Sequence, residues 1–558
     1  MSASVEGKVI AETLADIHRA DLAKDGRGDG RHAFRLKLPP AFLDGTPCRV
    51  RVEAVRGSRR VRLLRGEILL GADVATRSES GAAAGVSDDA LPRAAQMSVA
   101  LLVWGGGDVQ ALARTRASWA RQDWPDTALA LMVEGEAAPG ETLFQSAEER
   151  RLRQFVRQTH TVVFTRAGDE IDPALARVLA ETRPLGDVVT WDGDPDAGAG
   201  HRAWARDVGL LLGETLSGAF AVRGHALDAH PGKLAPLAAD QRRLELWLGA
   251  QAWLRWTHLP AALVAREDAL GGWMDPREDE AKGLDGYIWR PSGGDAPARL
   301  APSRPVRRLS LGLWPDWDED GLAALIAGAP ACELELLLPG GAEAAVQQRL
   351  RDAASCPAGV NLSFRPIVVP QGTGAGGWLR ALGEAATGEV VVIARHGLSL
   401  DPQAGALAEV AAWALSSRVG AVTIDLAVGR TARLTGLALS RDEEGWNAVS
   451  AFDPARAGRS RPVLAAPAAF LAVSRATLAA AGGADSRRFP DDSADLDLSL
   501  RLRRMGLVNV LLGHLQGAAP ASAAPRGGPA ALAAFEAADL AEAAAAFPLA
   551  TPRRKPRR

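Results

Sequence analysis

The stretch Phe489-Pro-Asp-Asp-Ser-Ala-Asp-Leu-Asp-Leu-Ser-Leu-Arg-Leu-Arg-Arg-Met-Gly506 reads as a run of acids leading into a helix with one apolar face. Leu498, Leu502 and Met505 recur at i, i+4 and i+7, and Gly506 supplies a terminator. A weaker version of this plan stands earlier, at Asp240-Gln-Arg-Arg-Leu-Glu-Leu-Trp-Leu-Gly249. Each follows a long region of alternating strand and helix patterns. A repeat on this scale predicts two similar domains in tandem.

Working outward, Ser98–Trp104 is a continuous apolar run ending in Gly105-Gly-Gly, as a buried parallel strand running into a loop should be. A helix over Val109–Arg121, a strand over Ala128–Val133, a helix near Ala147–Gln158 and the strand Thr161–Thr165 follow. Strands alternating with helices predict a mostly parallel, Rossmann-like sheet covered on both faces. The pattern restarts with Leu309–Trp314, Leu334–Leu338, a helix near Ala342–Ala354, Gly388–Ala394 and a helix near Ala404–Ser416. Near the N-terminus Phe34–Pro40 and Val50–Val55 alternate apolar and polar positions, as half-buried strands do. The expected organisation is a small β-rich accessory module at 1–75, a linker at 76–95 and a first α/β domain at 96–270. A linker at 271–305, a second α/β domain at 306–518 and an Ala/Pro-rich tail with a basic end at 519–558 complete it.

Composition sets limits on function. A chain of 558 residues exceeds one ordinary core, and 47% hydrophobic with 24% charged residues is the balance of a soluble globular protein. A formal net charge of -2 argues against a general polyanion binder. Cys48, Cys332 and Cys356 provide neither a disulfide framework nor a CxxC knuckle, which points to a reducing compartment. The N-terminus lacks signal-peptide regions, and apolar stretches such as Leu407–Leu415 are soon broken by charge, so no membrane span is expected. The basic end Thr551-Pro-Arg-Arg-Lys-Pro-Arg-Arg558 admits contact with anionic lipid or nucleic acid, but its shortness and lack of aromatics favour a solvated terminus.

In an open parallel sheet, ligands bind beyond the carboxyl ends of the strands. The residues there are Trp104–Asp108, Glu134 and Glu136, Asp169 and Glu170, Asp192, Asp194 and Asp196, with Glu245 further on. Converging carboxylates can hold a divalent cation that bridges phosphate oxygens, and another can deprotonate an acceptor hydroxyl. Each has a structural alternative. Asp192, Asp194 and Asp196 are also turn formers, and Asp169 and Glu170 also suit the start of the next helix. The acids Asp491, Asp492, Asp495 and Asp497 equally suit the N-terminus of theirs. In the second half Arg395 and His396 stand where the first half has Asp169 and Glu170. No GxGxxG, Walker-type Gly-Lys-Ser/Thr or Gly-x-Ser-x-Gly follows any predicted strand.

Taken together, the order of these elements resembles family 2 glycosyltransferases of the GT-A fold, in a tandem form found in bacterial polysaccharide biosynthesis. The best match is Ala481-Gly-Gly-Ala-Asp485, then Phe489 and Asp495-Leu-Asp-Leu-Ser-Leu-Arg-Leu-Arg-Arg-Met-Gly506, preceded by Phe470–Arg475 and by Thr387–Ile393. In the first half Ser98–Trp104, Ser118–Pro125 and Leu129–Glu134 resemble the family's nucleotide-binding opening, and Phe164–Pro173 resembles its metal-site strand and acidic pair. Asp187–Asp194 is similar to the strand that follows, and residues 15–45 resemble a small β module appended to such enzymes. The likeness covers roughly four fifths of the chain.

The resemblance implies inverting sugar transfer from a nucleotide-sugar donor to a glycan or lipid-linked acceptor. It implies that Glu134, with Asp192 and Asp194, faces the donor, that Asp169 and Glu170 hold a Mg or Mn ion with the diphosphate, and that Glu245 or Asp495 is the base. It further implies a cytoplasmic place, peripheral to the inner membrane in one version, other polysaccharide-assembly proteins as partners, and no nucleic acid. The departures are that Glu134 replaces an aspartate, Arg395 and His396 fill the second metal position, and a histidine expected near Ala519 is absent, with His514 nearby. They leave a rival expectation: a catalytically inactive relative acting as scaffold or glycan-binding partner.

Overall fold

A computed structural model describes short strand segments between residues 2 and 69 and most of residues 98–546. Outside the described residues lie 70–97, 105–107, 133–141, 193–205, 266–274, 314–324, 340–358, 369–373, 395–397, 401–404, 490–492, 521–531 and 547–558, with several other short stretches. The chain divides into two compact units, one of residues 1–199 and 215–272, the other of residues 200–214 and 273–558. Each is a mixed α/β unit whose main sheet is mostly parallel.

The first unit's main sheet contains β1 (Val99–Trp104), β2 (Thr127–Met132), β3 (Thr142–Leu143), β4 (Thr161–Arg166), β6 (Val188–Asp192), β7 (Phe220–Arg223) and β8 (Trp256–Ala262). A short β5 (Glu170–Ile171) pairs outside it with Val264–Ala265. The order is β3-β2-β1-β4-β7-β6-β8, and β7 alone runs against both of its neighbours. All six residues of β1 are buried, so helices cover both of its faces and its sequence is apolar throughout. Helix α1 (Val109–Trp119) starts where Asp108 Oδ1 accepts from Gln110 N at 2.9 Å and Ala111 N at 3.1 Å. Its Leu112 and Trp119 join Leu101, Val103, Leu131, Val163 and Leu179 in the core. A second helix, α2 (Gln241–Ala250), is capped by Asp240 and leads towards β8.

The second unit repeats the layout. Eight of the ten strands of its main sheet are β9 (Arg308–Leu313), β10 (Glu333–Pro339), β11 (Asn361–Ile367), β12 (Val390–Ala394), β13 (Ser399–Leu400), β14 (Val419–Val428), β15 (Phe470–Ser474) and β16 (Val508–Ala519). They run β11-β10-β9-β12-β15-β14-β16-β13, again with the fifth strand in sheet order, β15, reversed against both neighbours. Helices α3 (Ala375–Ala385) and α5 (Ala494–Arg504) pack on one face, with Leu382, Leu498 and Leu502 in the same apolar cluster as Val391 and Leu471. Helix α4 (Ala406–Ala414) lies between these two in sequence, and its Trp413 is fully buried. Each buried leucine here contributes about 2 kcal/mol against exposure.

Two further features lie outside these sheets. Strand segments Ser2–Val5, Lys8–Glu12, Val50–Arg56 and Arg59–Leu64 form an antiparallel four-stranded sheet. Within residues 271–305, Tyr287–Arg290 pairs with Arg299–Pro302 as a hairpin whose Arg299 reaches Glu409 of α4. Among the described residues no helix is long and apolar enough to cross a membrane.

Candidate functional site

The carboxyl ends of β1 and β4 lie side by side, since the strands are parallel and Trp104 and Arg166 are register partners. After β4 the chain makes a tight turn to β5, sewn onto α1. Gly168 N donates to Ala111 O at 3.1 Å and to Thr115 Oγ1 at 2.9 Å, and Thr115 Oγ1 donates to Asp169 O at 2.9 Å. The Asp169 carboxylate turns inward. Its Oδ2 accepts from Thr165 Oγ1 at 2.7 Å and from Arg166 N at 3.0 Å, and the residue is only 2% exposed. Glu170 is exposed, on the opposite face of β5 from buried Ile171. Arg166 is also exposed, and its Nε donates to Gln241 Oε1 at 2.7 Å, joining this turn to the first residue of α2.

Glu245 sits inside α2 and is 1% exposed. Its Oε1 accepts from Gln241 Nε2 at 2.7 Å and Leu216 N at 3.3 Å, and its Oε2 accepts from Arg242 Nη1 at 3.4 Å. Burial pushes its carboxyl up to about 7, against the opposing pull of Arg242, Gln241 and Leu216. Asp169, Arg166, Gln241 and Glu245 thus form one hydrogen-bonded series from turn to helix.

Strand register aligns the two units residue by residue. Thr161 pairs with Arg223 and Val390 with Ser474, and each of these partners immediately precedes a short helix. Counting on from these pairs sets Asp169 level with Leu398 and Glu170 with Ser399. The aspartate's place is therefore taken by an equally buried leucine in the second unit. Likewise Val189 pairs with Thr257 and Val422 with Val510, the same separation as between the first residues of α2 and α5. Asp495 then stands level with Arg242, and Glu245 with the core residue Leu498.

Asp495, in the first turn of α5, is half-buried. Its Oδ2 accepts from Ala468 N at 2.7 Å and its Oδ1 from Leu496 N at 2.8 Å, which fixes the carboxylate against the loop before β15. Asp497 is occupied by Arg501 one turn on, at 2.6 Å to Nη2. Ser493, at the N-cap, has φ 89°, the one positive φ outside glycine among the described residues, and its buried hydroxyl makes no hydrogen bond.

Glu134 and Asp194 lie outside the described residues, as do Arg395 and His396. Asp192 ends β6 just after a shift of register against β8, and Asp425 follows a larger shift at the matching place between β14 and β16. In the second unit Asp425 is closed by Arg433, with Nε at 2.9 Å from Oδ1 and Nη2 at 2.8 Å from Oδ2. His514 is buried in β16. Its Nδ1 is 2.8 Å from Ser460 Oγ, and its Nε2 is 2.9 Å from Glu409 Oε1 without good hydrogen-bond alignment.

The sequence places Arg166 at a strand end but assigns no role to it, to Arg114 and Gln241, or to Arg299, Glu409 and Ser460 around His514, because strand-end carboxylates carry the expected chemistry. The arginine beside them was readable only from the shared Arg-x-Gly at 166–168 and 395–397.

The described residues do not fit a divalent-cation site. A cation needs several oxygens directed at one point, but Asp169 is closed into its own turn and Glu170 faces out on another side. Among the described residues no group of three or more His, Cys, Asp or Glu gathers so as to hold a metal.

No protein-family model matches the chain, and no curated protein matches it. Among solved structures, it is similar to GalNAc-T7 with UDP, GalNAc and Mn2+, at 12% identity and TM-score 0.30, covering 39% of this chain and 43% of that one. It is also similar to the mannosyltransferase PcManGT from Pyrobaculum calidifontis in complex with GDP-Man and Mn2+. There the identity is 17% and the TM-score 0.28, covering 46% of this chain and 77% of that one. Scores this low leave function to be argued from this chain's own residues.

Proposed function

We propose that the chain is a glycosyltransferase-type protein that binds a nucleotide-sugar donor and a glycan acceptor in cell-surface polysaccharide synthesis. Its plan is a β module followed by two GT-A-like domains. The observation that carries this reading is the sheet order found twice, with one reversed strand at the same place and a helix leading into the strand after it. It agrees with the sequence resemblance at Asp495–Gly506 and at Phe164–Pro173.

The second unit carries the acceptor-side acid. Asp495 is held by two backbone N–H groups, yet it keeps part of its surface in solvent. In the transfer, Asp495 takes the acceptor hydroxyl's proton as that oxygen bonds to the anomeric carbon. The bond from that carbon to the diphosphate breaks, and its electron pair leaves with the diphosphate. No step is routed through a metal ion. Among the described residues of the first unit, Glu245 is enclosed and Arg242 stands at the register of Asp495. This favours a binding role for the first unit, and extending it to both units gives the rival reading of a non-catalytic glycan-binding partner.

The test is a panel of nucleotide-sugars incubated with wild type, Asp495→Asn and Glu245→Gln, following donor hydrolysis and transfer. Turnover lost in Asp495→Asn and kept in Glu245→Gln supports transfer in the second unit. Donor binding with no turnover from any sugar supports the non-catalytic partner.

A further inference from the structure

We propose that the C-terminal segment 532–546 is a strap that positions Asp495 against Ala468, with Phe535 as its main anchor. This rests on the reading of Asp495 as the acceptor-side base and names what holds that base in place.

By composition this stretch belongs to an Ala/Pro-rich tail, yet it lies within the second unit and its Leu532, Leu540 and Ala543 are buried. Phe535 packs on Phe489, with ring centroids 4.4 Å apart and planes 32° from parallel. Phe489 is itself enclosed, in the same apolar cluster as Trp378 of α3 and Ala494 and Leu498 of α5. Gly376 of α3 approaches it so closely that a Cβ there would collide with Phe489 O. Beside it, Arg488 Nε donates to Ala534 O at 3.0 Å, its Nη2 donates to the same oxygen, and the guanidinium lies 5.4 Å from the Phe489 ring centroid. Phe489, six residues before Asp495, is thus gripped both by α3 and by residues 534–535. Ser493, between the two, makes no N-cap bond, so the start of α5 takes its position from packing.

The strap also reaches the other partner of the Asp495 contact. Helix α6 (Ala537–Ala546) meets α5 through Asp539 Oδ2 and Arg504 Nη2 at 2.5 Å, and it lies against the strand Leu437–Arg441. That strand belongs to the connection between β14 and β15, as does Ala468, whose N donates to Asp495 Oδ2. One short segment therefore touches both the helix that carries the carboxylate and the connection that fixes it. Its anchors are unequal. The Arg504 and Asp539 side chains are 56% and 34% exposed, so their pair adds little, whereas the stacked rings of Phe535 and Phe489 are packed against the core.

The experiment is amide hydrogen exchange of the full chain, read over a peptide containing Ala468 and over Val390–Ala394 as reference, alongside transfer kinetics. The variants are Phe535→Ala, the conservative Phe535→Leu and Asp539→Ala. In Phe535→Ala, exchange at Ala468 should rise about tenfold with the reference strand unchanged, and kcat should fall about tenfold at constant KM. Phe535→Leu should restore most of both, and Asp539→Ala should move each by less than about threefold. Unchanged protection of Ala468 in Phe535→Ala overturns the inference. So does a rise shared by Val390–Ala394, which would make the segment a general support of the unit, and so does a kcat that stays at the wild-type value while Ala468 is deprotected. Selective deprotection of Ala468 in a protein whose wild type transfers no sugar keeps the strap and overturns the reading of Asp495 as the base.

Discussion

Asp169 and Leu398 hold the same place in the two sheets, and each is 2% exposed. A leucine at this register shows that the position faces the core, so the Asp169 carboxylate is there to close its turn. Asp169→Ala leaves Thr165 Oγ1 and Arg166 N without their acceptor, at a cost of about 1–3 kcal/mol. The expected loss, read from urea denaturation, is the same in EDTA and in Mn2+. A loss that grows with Mn2+ would show metal bound at this carboxylate.

Glu245 gives the first unit a pH dependence of definite sign. Its carboxyl stands at about 7 in the folded chain against an ordinary 4.5, so the folded state binds the proton more tightly. That contribution is full below pH about 4.5 and is lost as pH rises through about 7. Wild type should therefore lose stability relative to Glu245→Gln by about 3 kcal/mol between these limits. Denaturation of both proteins at pH 4.5, 6 and 8 measures the difference. A gap that stays constant would mean the carboxyl is not held neutral by burial.

Asp495 and Glu245 separate in function although both were read as bases. Asp495→Asn keeps one acceptor oxygen for Ala468 N but sets its NH2 against Leu496 N, so it should lower sugar transfer about 100-fold or more and cost about 1 kcal/mol of stability. Glu245→Gln should leave transfer near wild type, because the enclosed carboxyl meets no acceptor. Equal losses in the two variants would place chemistry in both units.

Local pattern made the parallel strands legible. Val99–Trp104 and Val390–Ala394 are apolar throughout because both faces are covered, and they and Thr161–Arg166 each fall within two residues of expectation. The hairpin Tyr287–Arg290 with Arg299–Pro302 and the twelve-residue β16 were not read. The hairpin's burial alternates only weakly, and β16 ends in glycine and alanine with no strand preference of their own. At the site, sequence gave residue types at strand ends but not side-chain direction. Whether Asp169 turned in or out depended on Thr165, Thr115 and the close approach of α1, contacts that span up to 54 residues.

Arg299 ties the hairpin to α4 and carries a second pH signature. Burial raises the Glu409 carboxyl, but His514 and Arg299 outweigh it and hold it at about 2. This stabilisation is present above the ordinary 4.5 and fades as pH falls through about 2. Arg299→Ala removes one partner of a nearly enclosed pair and should cost about 3 kcal/mol near neutral pH. The gap from wild type should narrow as acid protonates Glu409 in both. A gap independent of pH would assign the loss to packing of the arginine stem instead.

Ser493 is where α5 departs from its best local geometry. Serine is a favoured N-cap, and Asp240 fills that role at the same register in the first unit, yet Ser493 at φ 89° makes no capping bond. A left-handed backbone costs a serine about 1–3 kcal/mol, and glycine adopts it freely. Ser493→Gly should therefore stabilise the chain by about 1 kcal/mol, after the entropy glycine adds to the unfolded state. Ser493→Ala keeps the backbone strain and removes only the unpartnered hydroxyl, so it should gain less. Urea denaturation of the two variants decides the matter. If Ser493→Gly is the less stable, the left-handed turn is not strained. If it is the more stable and transfer falls, the strain is what holds Asp495 against Ala468.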